Sequence, residues 1–477
     1  MQKEFINREK ELSFLNKKYK EKSPDLFILY GRRRIGKTQL SLEFLKNKNG
    51  IYFLCSEEGD LININEMQKK MSDFVGIEFK NIIFKNWYDL FAIFFKMYNK
   101  KEKLIIIIDE FPYLIKKNKA IPSIFQKLWD TLLYNQNIFI ILTGSSVSIM
   151  EKEVLNVKSP LYGRRTAQWD LQPIPFKHII NFFPKLQIID LFKTYFVLGG
   201  VPAYLQKINA NLNFKENIIE GIFTKGNFLN MEGNILMNYE FSETNNYKLI
   251  LNAISKGKQK QKDIVGHTYL DYSLVSKYLT VLKSLSIIHE EIPITESKRF
   301  KGRLYKINDN FLQFWFRYLY SNISFIESHN PKDIYSYYEE DINKFFGCKF
   351  EDLIKELFIN YDIATMYKYN SFGRMWGKLP KKYLVDKTKS TYEIDVVGIN
   401  NMTKKNILFC EVKWKDNVNA TKIAQELIAK SKFVKWGEKQ RIEEFIVVAK
   451  SFFEKVKVVD GIPITCLDLN DLKKLFS

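Results

Sequence analysis

The run Leu26-Phe27-Ile28-Leu29-Tyr30-Gly31-Arg32-Arg33-Arg34-Ile35-Gly36-Lys37-Thr38 decides the fold. Leu26–Tyr30 is a short apolar strand, Gly31–Thr38 satisfies G-x-x-x-x-G-K-[ST] without a gap, and helical spacing continues to about Lys46. Strand, glycine loop and helix in that order let backbone N–H groups wrap a phosphate while the helix points its N-terminus at it. All eight residues, Gly31, Arg32, Arg33, Arg34, Ile35, Gly36, Lys37 and Thr38, are therefore expected to hold nucleotide. Lys37 is expected to reach the β/γ-phosphates, and Thr38 to carry its hydroxyl to Mg²⁺. The expected cofactors are ATP and Mg²⁺.

Further short runs rich in Ile, Leu and Phe follow: Ile51–Cys55, Leu104–Ile108 and Ile138–Thr143. Runs apolar on both faces suit a parallel sheet covered by helices. Asp109 and Glu110 stand at the end of Leu104–Ile108. An Asp there can hold Mg²⁺ through its water, and the adjacent carboxylate can polarise an attacking water. Thr143-Gly144-Ser145-Ser146 ends another run. Ser145 is expected to hydrogen-bond the γ-phosphate or the water; a plain turn is the alternative.

Four motifs now resemble a known group. Phe5-Ile6-Asn7-Arg8-Glu9-Lys10-Glu11-Leu12, Asp109-Glu110-Phe111-Pro112-Tyr113-Leu114, Tyr162-Gly163-Arg164-Arg165-Thr166 and Leu198-Gly199-Gly200-Val201-Pro202-Ala203-Tyr204-Leu205 resemble archaeal-type P-loop ATPases of the AAA+/STAND superfamily. The resemblance covers essentially the whole chain. It implies that Phe5–Leu12, with Arg8, lines the adenine pocket, and that Gly200 and Pro202 touch the nucleotide from a helical lid. It also implies that Arg164 or Arg165 senses phosphate, in cis or in trans. A tight helix break and a solvated basic pair are the simpler alternatives for the last two.

From Leu171 to about Ile254 helical spacing replaces strand signals. Residues 247–310 then read as helix, helix, helix and basic hairpin, the order of a winged helix. Asp271 is a candidate N-cap for a helix to about Ser284, with Val275, Leu279 and Leu282 on its inward face. Ser273, Ser276, Lys277 and Thr280 lie elsewhere on it. Lys298, Arg299, Lys301 and Arg303 decorate the turn between runs Ile287–Ile292 and Arg303–Ile307. These residues suit phosphate contacts flanking a groove, although the same fold also serves as a protein-contact module.

The last segment carries a second constellation. Glu351 lies in a helical stretch, Asp395 in the alternating run Tyr392–Val397, and Glu411 with Lys413 on one face of Ile407–Trp414. Two carboxylates and a lysine on adjacent strands can bind a divalent ion and activate water against a phosphodiester. The set resembles the PD-(D/E)xK nuclease core and the C-terminal domain that accompanies these ATPases. That implies metal ligands Glu351, Asp395 and Glu411, with Lys413 catalytic. A remnant that binds without cutting is the alternative.

Composition sets the partners. Lys+Arg 74 against Asp+Glu 54 leaves +20, which suits a polyanion, with DNA first; a lysine-rich genome bias is a partial alternative. Four scattered cysteines and four histidines argue against a zinc site or disulfide framework. The N-terminus lacks an apolar signal region, and Leu104–Ile108 is far short of the roughly 20 residues that span a bilayer. A cytoplasmic protein without membrane partners is expected; a protein partner or an oligomer is possible.

The expected class is α/β: a P-loop NTPase parallel sheet (1–170) with a helical lid (171–246), then a winged helix (247–310), then an α/β restriction-endonuclease-like domain (311–477). The expected function is an ATPase that gates DNA or partner engagement. A slow-turnover regulatory switch with a silent C-terminal domain is the alternative.

Overall fold

The computed structural model describes residues 5–475 except 242, 298, 361–367, 380–389 and 438–439. The chain forms two compact units, Met1–Phe182 with Gly200–Gln206, and Phe183–Gly199 with Lys207–Ser477.

The first unit is built on five strands: β1 (Asp25–Tyr30), β2 (Gly50–Leu54), β3 (Leu104–Asp109), β4 (Ile138–Gly144) and β5 (Ala167–Asp170). All pair in parallel, in the order β2-β3-β4-β1-β5. Every residue of β3 and β4 is buried, as expected of runs that are apolar on both faces. One face packs with Ile64, Met67, Trp87 and Phe91, the other with Leu15, Leu40 and Phe44. β5 escapes a reading by apolar runs because it is an edge strand of Ala-Gln-Trp-Asp, alternately half-buried and exposed. With β4 inserted between β1 and β3, the tips of these three strands stand side by side. Leu29 is level with Thr143, and Ile108 with Leu142. Such carboxyl-end crevices are where open α/β sheets bind ligands.

In the second unit, helices Asn245–Ser255, Gln261–Thr268 and Tyr272–Ser284 precede an antiparallel hairpin of β6 (Ile288–Glu291) and β7 (Leu304–Ile307). Val275, Leu279 and Leu282 are buried as their spacing requires. Asp271 sits at the N-cap position, but its side chain makes no capping bond. The 30-residue helix Pro331–Asn360 follows.

It leads to β8 (Ser371–Lys378), β9 (Thr391–Ile399), β10 (Asn406–Lys413), β11 (Val418–Asn419), β12 (Ile442–Ala449), β13 (Phe452–Glu454), β14 (Val458–Val459) and β15 (Ile462–Leu467). Six of them form a mixed sheet in the order β14-β15-β12-β10-β9-β8, while β11 and β13 pair separately. Helix Ala420–Ser431 crosses between the parallel neighbours β10 and β12.

The hairpin and this mixed sheet are not separate bodies. The Ile294 N–H donates to the Arg374 carbonyl of β8 at 3.0 Å, and the Phe300 ring meets Trp376. The basic turn, expected as the wing of a winged helix, is partly docked on β8.

Candidate functional site

The loop after β1 takes its shape from its glycines. Gly31 has φ +142°, and a Cβ there would lie 2.6 Å from the Leu171 carbonyl oxygen, so a side chain is excluded. Lys37 is buried, and its ammonium donates to the Gly31 and Arg32 carbonyls at 2.9 Å each, folded over the loop. The Thr38 hydroxyl donates to Asp109 Oδ2 at 2.7 Å. A hydroxyl and a buried carboxylate converging beside a phosphate-binding loop are a hard-oxygen donor set, which fits Mg²⁺.

Asp109 is held on every side. Tyr52, in β2 opposite Ile107, points the same way as Asp109 and donates its phenol to Oδ2 at 2.8 Å. Oδ1 accepts the Thr143 hydroxyl and, at 3.0 Å, the Glu110 N–H. Burial first, and the Asp109 charge second, push the Tyr52 phenol up from its ordinary value. Tyr52 was not singled out from the sequence. The signal was a polar-tipped residue inside an apolar strand, whose hydroxyl needs a partner.

Glu110 stands in left-handed backbone, φ +53°. Its Oε2 accepts from Ser145 twice, from the hydroxyl at 2.8 Å and from the N–H at 3.2 Å. Ser145, expected on the phosphate or the water, is thus engaged with the neighbouring carboxylate. β4 places it one strand away from Glu110, which brings the two together.

The residues that the family resemblance singled out fall as follows. Arg8 is buried behind the loop and donates to the Ile35 and Gln172 carbonyls at 3.1 and 2.7 Å. Phe5 and Leu12 pack on the core face formed by Leu15, Phe27 and Leu40. Here Arg8 braces the phosphate loop from its backbone side. A Cβ on Gly36 would lie 3.9 Å from the Pro202 ring, and the Ala203 N–H donates to the Arg34 carbonyl at 3.4 Å, so the Gly200–Pro202 element does reach the loop. A Cβ on Gly200 would lie 1.7 Å from the Ile174 carbonyl oxygen, which makes glycine obligatory there. Arg33 donates to the Tyr113 hydroxyl at 2.8 Å. Arg164 makes a paired contact with Asp130 at 2.9 and 3.1 Å, while Arg165 lies over the Tyr162 ring and donates to the Leu155 carbonyl.

The C-terminal constellation is gathered, with one correction. β9 and β10 are antiparallel with Val396 opposite Cys410, which sets Asp395 beside Glu411. Asp395 Oδ2 accepts the Val412 N–H at 2.8 Å. The Lys413 ammonium lies 2.7 Å from Glu411 Oε1 and 3.6 Å from Asp395 Oδ2. Lys430, which no sequence pattern marked, reaches in from helix Ala420–Ser431 to Glu411 Oε1 at 2.9 Å. Glu411 Oε2 is buried and accepts no hydrogen bond, so the strand pair retains one acceptor for a cation. Glu351 does not complete a three-carboxylate shell. Its carboxylate is held by the Arg374 guanidinium of β8, and no three acidic, His or Cys side chains group as a metal site among the described residues. Burial, then the nearby Asp395 charge, pushes Glu351 up to about 8. Burial, then Glu411, raises Asp395.

Arg374 continues into a buried ion network. It also meets Glu393 at 3.0 Å and Glu291 of the hairpin at 3.9 Å. Glu291 binds Lys306 at 2.8 Å and Lys355 at 3.0 Å, and Lys306 reaches Asp352 at 3.3 Å.

The expected nucleic-acid face is mixed. Ser273, Ser276, Lys277, Thr280, Arg299 and Lys301 are exposed. Arg303 is instead tied to Glu290 at 2.9 Å, because Glu290, opposite Tyr305, lies diagonally across the hairpin on the same side. Lys298 lies outside the described residues. No helix among them is long and apolar enough to cross a membrane.

Residues 5–208 match a family described as ATPase domains predominantly from Archaea, and residues 315–423 match archaeal and bacterial proteins of unknown function. An uncharacterized protein of Methanocaldococcus jannaschii is 37% identical over 436 residues, 90% of this chain and 92% of its own length. An uncharacterized ATP-binding protein of the same organism is 57% identical over 44 residues, 9% of this chain and 75% of its own. Among solved structures, a Walker-type ATPase of Pyrococcus abyssi superposes with a TM-score of 0.50 at 22% identity, covering 66% of this chain and 97% of that one.

Proposed function

The chain belongs to the archaeal-type P-loop ATPases that carry this C-terminal domain, and from that premise we propose that it hydrolyses ATP between the Gly31–Thr38 loop and the tips of β3 and β4. The observation that carries the reading is the 2.7 Å bond from Thr38 to Asp109, which joins loop and strand tip at a point suited to Mg²⁺. When bound, Mg²⁺ neutralises charge on the β- and γ-phosphates. Lys37 leaves the loop carbonyls to neutralise the same phosphates. Glu110 orients the attacking water once Ser145 lets it go. The pair of hydrogen bonds from Ser145 supports slow basal turnover, the property of a regulated switch. The test is direct. Lys37→Ala abolishes hydrolysis and weakens nucleotide binding, and unchanged turnover would overturn the assignment.

A second reading concerns the other unit: nucleotide state gates its engagement of DNA or a partner. The exposed Lys277, Arg299 and Lys301 support phosphate contact. The buried, unpartnered Oε2 of Glu411 beside Asp395 supports a divalent ion and metal-dependent cleavage, with Lys413 steadying the developing phosphate charge. Asp395→Ala or Glu411→Ala then removes Mn²⁺-dependent nicking of duplex DNA and leaves ATP turnover intact. Absence of nicking by the unaltered protein leaves the ATPase reading alone.

A further inference from the structure

A carboxylate offers about four lone-pair positions, two on each oxygen. Asp109 already fills four. Thr38 and Tyr52 donate to Oδ2, and Thr143 and the Glu110 N–H donate to Oδ1. A hydrated cation held by this residue needs one of those acceptors, because water in its shell must donate somewhere. One of the four donors must therefore give way.

The four are not equally free to leave. Thr38 can offer its oxygen lone pair to a cation while its hydroxyl hydrogen stays on Asp109, so it need not move. The Glu110 N–H is fixed by the backbone of the next residue. Thr143 is 0% exposed, and a buried hydroxyl pulled off its acceptor has a high desolvation cost. Tyr52 differs on each count. It comes from the neighbouring strand, it is only half-buried, and a small change in its χ1 carries the phenol oxygen off Asp109 toward the partly exposed side of the strand.

Resting on the ATPase reading, we propose that the Tyr52 phenol is a placeholder: it occupies the Asp109 acceptor that the hydrated Mg²⁺ of the nucleotide complex takes over, and so sets how much Mg²⁺ the site needs. Tyr52 acts through Asp109 and is a positioning residue. The bond keeps a buried carboxylate satisfied while no cation is present, and its loss is part of the cost of loading one. Removing the phenol oxygen thus favours the loaded form.

The experiment is a Mg²⁺ titration of a fluorescent ATP analogue bound to the full-length protein, with Tyr52→Phe beside the unaltered chain, and a parallel binding curve in EDTA. Y52F is expected to lower the half-saturating Mg²⁺ about three- to tenfold, the net scale of one ordinary protein hydrogen bond. Its affinity for the analogue in EDTA should stay the same. A half-saturation that is unchanged or raised overturns the placeholder role; a raised value would make Tyr52 a simple support for Asp109. Thermal melting shows whether Y52F folds, and Tyr52→Leu, which also removes the donor, repeats the test if it does not. If neither the unaltered protein nor Y52F binds the analogue, and Lys37→Ala makes no difference, the nucleotide reading itself has failed. That outcome is distinct from binding with an unshifted Mg²⁺ requirement.

Discussion

Asp109 at the tip of β3 and Asp395 and Glu411 on β9 and β10 are all buried, yet opposite kinds of donor hold the two groups. Around Asp109 and Glu110 the described donors are neutral: three hydroxyls and a backbone N–H on one, and a hydroxyl and an N–H on the other. Around Glu411, Asp395 and Glu351 the main donors are the cations Lys413, Lys430 and Arg374. Neutral donors orient a carboxylate and leave its charge for something else to meet. Ammonium and guanidinium groups meet the charge themselves. The first site leaves its negative charge to be met by an arriving cation, whereas in the second Lys413, Lys430 and Arg374 already meet most of it and only Glu411 Oε2 is left open.

The sharpest way to break this contrast is to neutralise one acid on each side. Glu110→Gln should keep nucleotide bound and lower ATP turnover on the order of a hundred- to a thousandfold in a phosphate-release assay. Asp395→Asn should leave turnover within about twofold. A large loss in D395N would mean that the two sites are not independent.

The next effect tests the charge-held side through stability. Although burial works against it, Lys306, Lys355 and Arg374 together pull Glu291 down to about 2. An acid with a lowered folded value stabilises the fold above its unfolded value of about 4.3, and that contribution is lost as pH falls through about 2. Glu291→Gln should therefore cost about 3 kcal/mol in urea unfolding at pH 7. The gap between the two proteins should narrow below pH 4. A gap independent of pH would point to packing instead of charge.

Glu351 runs the other way. Its folded value near 8 lies above the unfolded one, so it favours the fold when protonated and opposes it as pH rises from about 4 to 8. Melting temperatures of Glu351→Gln and the unaltered chain should diverge across that window, in favour of E351Q at the alkaline end. The smallest expected effect is on DNA: replacing Arg299 and Lys301 with Ser should flatten the slope of log K against log salt by roughly one unit per lost contact. An unchanged slope would remove the hairpin turn from the DNA surface.

The sequence carried the first site further than the second. A gapless phosphate loop and two strand-ending acids specify positions that backbone geometry then enforces, so Lys37, Thr38, Asp109 and Glu110 fall where their spacing says. Glu411 and Lys413, two apart in one strand, were legible for the same reason. What stayed hidden depends on tertiary approach. Tyr52 reads as one more large residue in an apolar strand, and Lys430 as one more helix lysine. Arg374 reads as a strand charge until the hairpin and helix Pro331–Asn360 close over it. Arg303 looked like a free wing cation because its partner Glu290 lies across a turn whose closure the sequence does not display.

The ion network joining Glu291 and Lys306 on the hairpin, Asp352 and Lys355 on the long helix, and Arg374 on β8 has a consequence for how this unit breathes. Opening the hairpin alone would strand several buried charges at once, at a cost well above that of fraying a two-stranded ribbon. Three elements far apart in the chain should therefore open together as one cooperative block. In native-state hydrogen exchange, amides of β6, β7, β8 and the middle of that helix should share a single opening free energy and a common denaturant slope. The exposed tip of the turn, at Arg299 and Lys301, should exchange independently and far sooner.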